Sequence, residues 1–278
     1  MTANIWTAAS RSKRDARIDV MRGVALVMIF MDHIPHNRLS YFTLHNFALC
    51  DAAEVFVLLS GISAALAYGR AIDRDGWVSG MRRIARRCWQ IYVAQIGLFL
   101  ATLIIGQFWN RYFHLPTVIF VAVLQKPVKG VLLSFLLAVQ PDYLNILPLY
   151  IVVLALFPVM WLALRHSIVL ALTGSASLWL LSTWIPEINL PNWVTHEGWY
   201  FNPFAWQFLM TIGVVLARLM VRNGGNLPWH PLLAAAAAGF LLLSLPQTAA
   251  WNNLGLPGLW SFALDASDKT HLAWPRLL

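Results

Sequence analysis

Residues 18–36 read IDVMRGVALVMIFMDHIPH. An uninterrupted apolar run, 23–31, lies between ionisable residues at both ends of this stretch. A membrane span needs about 20 mostly apolar residues, so the stretch predicts the first span of a membrane protein. It follows a basic arm and ends in Asp32-His33 rather than at a small-residue cleavage site. We therefore expect it to stay in the protein as a span and not to be removed as a signal peptide.

The composition of the whole chain agrees with a lipid environment. Of 278 residues, 59% are hydrophobic and only 12% are charged, whereas soluble domains carry roughly a quarter of charged residues. The 14 tryptophans suit the aromatic belts at the two membrane interfaces. The composition therefore excludes an ordinary soluble globular protein.

Further apolar runs predict the remaining spans. The length criterion places the spans at 18–36, 46–68, 88–109, 146–164, 167–185, 204–221 and 231–247. The apolar segments 117–124 and 130–139 are too short to cross alone, and we interpret them as re-entrant or interfacial pieces or as one broken span. The predicted fold class is all-α, a polytopic transmembrane helical bundle of about seven to eight spans.

The basic residues predict the orientation of these spans. Lysines and arginines cluster in the arm 1–17 and in the loop after the second span, whereas the loop 186–203 has none. The positive-inside rule puts the N-terminus in the cytoplasm and loop 186–203 outside. The predicted organisation is a cytoplasmic arm, 1–17, and one membrane domain, 18–278. Because the basic clusters adjoin apolar runs, the net charge of +8 indicates orientation signals and not a nucleic-acid partner.

The first span carries ionisable side chains at both of its ends. Asp19 and Arg22 lie near the inner end and Asp32 and His33 near the outer end, about 16 Å from Arg22 to His33 along a helix. Charges inside a span are costly and are functional candidates by default. Asp19 and Arg22 fit equally well an i,i+3 ion pair. For His33 we favour a general base, since imidazole titrates near neutral pH.

Two carboxylates lie one helical turn apart near the outer end of the second span. Asp51 and Glu54 should reach the depth of Asp32 and His33, because the first two spans are antiparallel. Together with Asp32, they are the candidate catalytic residues that would orient the imidazole of His33. The alternative is that they only cap the start of the helix.

The inner loop reads MRRIARR at 81–87. Arg83 and Arg86 share one helix face and could grip a phosphate, or could serve as a plain interfacial anchor. Polar residues predicted on the outer side are weaker candidates: Asp142, Tyr143, Asn145, Tyr150, His196, Glu197, Asp265, Asp268, Lys269 and His271. Cys50 and Cys88 match no zinc or disulfide spacing, and we predict no metal site.

Several motifs together resemble a known family. RIDVMRG, FMDHIP, NFALCDAAEVFVLLSG with ALAYG, LPLY at 147–150 and the late DKTHL look like OpgC, a membrane protein associated with succinylation of osmoregulated periplasmic glucans, within the membrane acyltransferase-3 superfamily. The similarity is densest over residues 14–70. Relatives continue past the DKTHL-like element into further helices, so we expect this chain to be C-terminally incomplete relative to the family.

The resemblance implies a multi-pass O-acyltransferase of the bacterial inner membrane. It would take an acyl group, succinyl or acetyl, from cytoplasmic acyl-CoA as co-substrate, with no bound cofactor, and transfer it to a periplasmic glucan. The family's essential first-span histidine corresponds to His33, and its cytoplasmic R-x-x-R pair to Arg83 and Arg86. We expect Arg17 and Arg22 to join them in binding acyl-CoA.

Two other functions fit the same residues. In a transporter or flippase, the ionisable groups of the first span would form a proton or substrate relay. In a non-catalytic membrane scaffold, they would tie helices together.

Overall fold

The computed structural model of the protein describes residues 15–113, 123, 125–140, 143–194, 197–227, 229–255 and 265–277. The predicted outer-side residues Asp142 and His196 lie outside the described residues. Most of segment 117–124 and of the basic arm 1–17 lies outside them as well.

Helices form the secondary structure of the described residues. In chain order the α-helices there are α1 (Ala16–Asp32), α2 (Leu44–Phe47), α3 (Ala52–Ala64), α4 (Arg70–Asp75), α5 (Trp77–Phe113), α6 (Pro127–Phe135), α7 (Ile146–His166), α8 (Ile168–Trp184), α9 (Pro203–Arg222), α10 (Pro231–Ser244) and α11 (Ala249–Asn253). A single turn of π-helix, Ala65–Gly69, joins α3 to α4 without a break. The all-helical class predicted from the sequence is confirmed for this part of the chain.

Four helices among the described residues are long and apolar enough to cross a membrane. They are Ala52–Asp75, Trp77–Tyr112, Ile146–His166 and Pro203–Arg222. Each contains most of a predicted span, because the apolar run itself determines where the backbone must be fully hydrogen-bonded within the segment. The chain is thus a helical membrane protein. The count of seven to eight spans and the cytoplasmic N-terminus stay predictions.

The remaining predicted spans are shorter helices. Both α1 and α8 have 17 residues, which is about 25 Å of helix against a hydrocarbon thickness of about 30 Å. The third, α10 with its 3₁₀ extension, covers Pro231–Gln247. Helix α6 has nine residues and cannot cross, which agrees with the short piece predicted at 130–139.

Two glycines permit close packing of α3 against α9. Gly61 of α3 faces Gly213 of α9, and a Cβ built on Gly213 would clash with the carbonyl oxygen of Leu58. A Cβ on Gly61 would clash with the carbonyl oxygen of Met210. Small residues permit such close approach of helices within a membrane. This contact holds α3 against α9, and α1 also packs against α3.

Gly213→Ala should therefore destabilise the protein. Because the clashing atoms belong to backbone, the helices must move apart, and we expect the free energy of unfolding to fall by about 1–3 kcal/mol. Thermal unfolding of the detergent-solubilised protein measures the effect. Gly97→Ala is the matched control, because a Cβ on Gly97 of α5 meets nothing within 4 Å. Equal melting temperatures for the two variants would contradict this packing.

The 265–277 segment folds back onto the ends of the spanning helices. The indole of Trp206 donates to the carbonyl of Lys269 at 3.0 Å, and that of Trp179 donates to the carbonyl of His271 at 3.0 Å. The amide of Asn202 donates to the carbonyl of Thr270 at 3.1 Å. These bonds fix the segment against α8 and the start of α9, and side chains of the segment enter the site described next.

Candidate functional site

A small cavity of about 180 Å³ lies where α1 ends and α3 begins, and we call it the His33 cavity. Three of the four predicted catalytic residues, His33, Asp32 and Asp51, lie on its wall. Glu54 does not line it. The other lining residues are Ile29, His45, Ala53, Tyr143, Asn145, Ile146, Phe201 and Lys269.

The ring of His33 is held by backbone and by an aromatic neighbour. Its Nδ1 lies 2.5 Å from the carbonyl oxygen of Ile29. A carbonyl can only accept, so Nδ1 donates in this contact, and in the neutral imidazole the lone pair is then on Nε2. The ring of Tyr143 meets the imidazole edge-on, with centroids 4.8 Å apart. Tyr143 has φ 72°, an uncommon conformation for a residue other than glycine. His33 is thus presented in the tautomer that a general base requires.

Asp32 binds the loop that follows α1. Its Oδ1 accepts a hydrogen bond of 2.5 Å from the hydroxyl of Thr43, which is fully buried. No hydrogen bond joins Asp32 to the His33 ring in the described part of the chain. The carboxylate therefore fixes the turn that carries His33 and reaches the cavity wall from there.

Asp51 and Glu54 form a capping box at the start of α3. The Asp51 side chain accepts from the amide of Ala53 at 2.9 Å, and the Glu54 side chain accepts from the amide of Asp51 at 2.9 Å. This reciprocal arrangement satisfies amides that a helix start leaves unpaired. The two carboxylates thus have the helix-capping role that the sequence offered as the alternative to orienting His33.

Two cations of the 265–277 segment neutralise these carboxylates. Lys269 forms an ion pair with Asp51, and Arg276 forms one with Glu54 at 2.7 Å. The Glu54 and Arg276 side chains are only 3% and 13% exposed. Neither carboxylate hydrogen-bonds His33 within the described residues. The contacts that orient the ring of His33 therefore come from Ile29 and Tyr143 and not from these carboxylates.

A second, larger cavity of about 700 Å³ lies at the other end of α1, and we call it the Arg22 cavity. Three arginines line it: Arg22, Arg70 and Arg87. Arg22 pairs with Asp19 at 3.8 Å, which is the predicted i,i+3 pair, and its Nε is buried with no hydrogen-bond partner among the described residues. The other lining residues are Asp15, Ile18, Asp19, Gly23, Leu26, Ser63, Ala64, Leu66, Ala67, Tyr68 and Tyr150.

The other predicted acyl-CoA-binding arginines lie outside the wall of the Arg22 cavity. Arg83 forms an ion pair with Asp75 at 2.8 Å, and Arg86 is exposed on α5. Arg17 grips Asp15 with two nitrogens, at 3.0 and 2.9 Å. That hydrogen-bonded pair lowers the pKa of the Asp15 carboxyl below its ordinary value. Arg22 is thus the one residue of the predicted set on this cavity wall.

The two cavities lie on either side of a thin wall. Leu26 of α1 lines the Arg22 cavity, and Ile29 lines the His33 cavity. On α7, Tyr150 faces the first and Ile146 the second. Three or four residues of helix separate the members of each pair, about 4.5–6 Å. The cavities approach each other to about one helical turn.

The residues predicted on the outer side lie in several different parts of the structure. Tyr143, Asn145 and Lys269 line the His33 cavity. Asp268 accepts from the ring of His271 at 2.9 Å, outside the cavity wall. Tyr150 instead lines the Arg22 cavity, because α7 begins at Ile146 and carries it a turn deeper.

Sequence reasoning missed His45, Arg70, Arg87 and Arg276. Arg87 stands in the same MRRIARR motif as Arg83, but the motif does not indicate which side of α5 faces the cavity. His45 lies in none of the motifs that indicated a functional site. Only the folded chain brings these residues to the cavity walls.

Comparison with known proteins adds one finding to this geometry. A family model described as OpgC protein matches residues 14–278, nearly the whole chain. No curated protein and no solved structure matches it.

Proposed function

Because the chain belongs to the OpgC protein family, we propose that it is a multi-pass O-acyltransferase of the bacterial inner membrane. It moves an acyl group, succinyl in the family's named activity, from cytoplasmic acyl-CoA to hydroxyls of a periplasmic glucan. The observation that carries the proposal is His33, whose Nδ1 is engaged by the Ile29 carbonyl and whose Nε2 is left to take a proton beside the His33 cavity.

The proposed reaction starts with proton removal. A sugar hydroxyl entering from the outer side gives its proton to Nε2 of His33, and the hydroxyl oxygen attacks the thioester carbon. The tetrahedral intermediate expels the CoA sulfur, which takes the proton back from the imidazolium. An ester bond forms, a thioester bond breaks, and free CoA thiol leaves. No covalent acyl-enzyme is needed.

The Arg22 cavity is the proposed entry of the donor. At about 700 Å³ it falls within the 300–1,000 Å³ range of small-molecule sites. Arginines bind phosphates bidentately, and Arg22, Arg70 and Arg87 lie on its wall. The acyl arm would pass the thin wall between Leu26 and Ile29 to reach His33. This route requires the side chains of the wall to move apart when acyl-CoA binds.

Assigning the acyl-CoA phosphates to Arg87 or to Arg83 leads to opposite expectations for the KM of acyl-CoA. Arg87→Gln should raise the KM for acyl-CoA by about 10- to 100-fold, because a charge-assisted hydrogen bond contributes about 1.5–3 kcal/mol. Arg83→Gln, on the same helix but paired with Asp75, should leave the KM near that of the wild type. Initial-rate kinetics with varied acyl-CoA measure both. The reverse order would favour the Arg83 and Arg86 pair predicted from the sequence.

The activity itself is tested with the purified chain in detergent. CoA thiol release from succinyl-CoA and from acetyl-CoA is followed with and without a linear β-glucan. Glucan-dependent release with ester-linked acyl groups on the glucan is the expected result. Release that never depends on glucan would contradict the transferase.

A transporter or flippase is the alternative function. The observation in its favour is the pair of cavities at opposite ends of α1, separated by a wall about one turn thick. This alternative predicts movement of a glycan or lipid-linked substrate across vesicles without consumption of acyl-CoA.

A further inference from the structure

Two further cavities share wall residues with the His33 cavity. The first, about 540 Å³, is called the Asn37 cavity, and the second, about 600 Å³, the Thr248 cavity. The Asn37 cavity shares Asp32 and His45 with the His33 cavity. The Thr248 cavity shares Asp51 and His45 with it. Three cavities therefore meet at the residues of the candidate active site.

His45 is the residue common to all three walls. It lies on α2, the short helix between α1 and α3, and its neighbour Asn46 accepts a hydrogen bond of 3.4 Å from Asn253 of α11. Asn253 lines the Asn37 cavity, whereas Asn252 lines the Thr248 cavity. The contact between α2 and α11 therefore borders both cavities.

The three cavities differ in size, and this difference indicates what each one can hold. The His33 cavity, at about 180 Å³, is smaller than the 300–1,000 Å³ typical of small-molecule sites. It has room for the reacting groups but not for the bulk of a sugar chain. The two flanking cavities lie within that range. An extended acceptor can therefore place only the reacting hydroxyl beside His33 while its neighbouring units lie outside.

The chemistry of the flanking walls suits a ligand rich in hydroxyl groups. Amide, hydroxyl and carboxylate side chains make up about half of each lining, among them Asn37, Ser40, Tyr41 and Asn253 in the Asn37 cavity and Gln247, Thr248, Asn252, Asp265 and Ser267 in the Thr248 cavity. Tyr41 is 53% exposed, and such a ring can stack on a sugar face. The pKa of Asp265 is lowered by the hydrogen bonds from Ser267, so this carboxylate is available as an acceptor. Gln247 has a buried Nε2 without a hydrogen-bond partner among the described residues.

We propose that the Asn37 and Thr248 cavities are the two arms of one acceptor site, which holds sugar units on both sides of the hydroxyl that is acylated. His45 is the positioning residue common to both arms. The inference rests on the proposed function and deepens it: the acceptor is an oligosaccharide of several units modified within its chain, not a single sugar and not a chain bound by its end.

Variants in each arm test the proposal. Tyr41→Ala in the Asn37 arm and Asn252→Ala in the Thr248 arm should each raise the KM for a linear β-glucan by about tenfold. For a disaccharide acceptor, which cannot reach both arms, the combined variant should change kcat/KM less than it does for the long glucan. His45→Ala should raise the glucan KM while the KM for acyl-CoA stays constant. Tyr112→Ala, an exposed tyrosine on α5, is the control that should change neither.

The position of the acyl group gives a second, independent measurement. Tandem mass spectrometry of the product should find acyl groups on internal units of the linear glucan. Acylation confined to a terminal unit, or an effect limited to one arm, would overturn the two-armed site while leaving the transferase intact. Failure of the wild type to acylate either glucan or disaccharide would contradict the proposed function and this inference with it.

Discussion

His33→Ala should lower kcat for acyl transfer by about 10²- to 10⁴-fold, the range that general acid–base catalysis contributes. The variant removes the nitrogen that takes the proton from the acceptor hydroxyl. It leaves untouched the Arg22 cavity, which lies at the other end of α1. The KM for acyl-CoA should therefore stay near the wild-type value. Steady-state release of CoA thiol in the presence of glucan measures both constants.

Two further variants separate proton transfer from folding. His33→Gln keeps a polar side chain but offers no basic nitrogen, so its kcat should be as low as that of the alanine variant. His166→Ala is the matched control, since this histidine is exposed at the far end of α7. All three proteins should melt at similar temperatures. If His33→Ala keeps a kcat within a few-fold of wild type in a well-folded protein, another residue is the base.

The long helices were predictable from the sequence because their cause is local. An apolar run near 20 residues must satisfy its backbone hydrogen bonds within itself in lipid, so its length alone predicts a helix. Ile146–His166 and Pro203–Arg222 accordingly begin and end within two residues of the predicted spans. The runs at 18–36 and 167–185 form helices of 17 residues, because polar or extended residues end them early.

The capping box was predictable in part for the same reason. Asp51 and Glu54 have the spacing of a helix start, and their partners are amides within three residues. Assigning them to His33 instead required a contact between two helices, which no spacing within one helix can establish. The ring of His33 is held by Ile29, a residue of its own helix, and by Tyr143, which is distant in sequence.

The side of α5 on which each arginine of the MRRIARR motif lies could not be predicted from the sequence. Arg83, Arg86 and Arg87 lie within two turns of one helix, and each residue turns the side chain by about 100°. Which of them faces a cavity depends on how α5 packs against α4 and α7. In the structure Arg87 faces the Arg22 cavity, while Arg83 turns to Asp75.

The basic partners of Asp51 and Glu54 could not be predicted. Lys269 and Arg276 are separated from them by 218 and 222 residues. Their position depends on backbone bonds such as that between Asn202 and Thr270. The DKTHL motif indicated a family resemblance but gave no contact. Long-range pairing of this kind follows only from the complete fold.

Arg276→Met should destabilise the protein more than any other single change proposed for its charged residues. It leaves Glu54, 3% exposed at the start of α3, without its cation. Removing one partner of a buried ion pair costs about 3–5 kcal/mol, because the remaining charge is uncompensated. The 265–277 segment should also loosen, since Arg276 ties it to Glu54 of α3 and also donates within the segment to the carbonyl of Ala266. Thermal unfolding in detergent measures the loss.

A double variant and a surface pair complete this test. Adding Glu54→Gln to Arg276→Met removes the orphaned charge and should recover most of the lost stability. Arg74→Met breaks the pair with Asp75 at 2.7 Å, in which Arg74 is 76% exposed, and should cost about 0–1 kcal/mol. If Arg276→Met is no more damaging than Arg74→Met, the pair with Glu54 does not hold the 265–277 segment. In that case the segment is held by its bonds to Trp179, Trp206 and Asn202 and by the ion pair of Lys269 with Asp51, and Lys269 should still reach the His33 cavity.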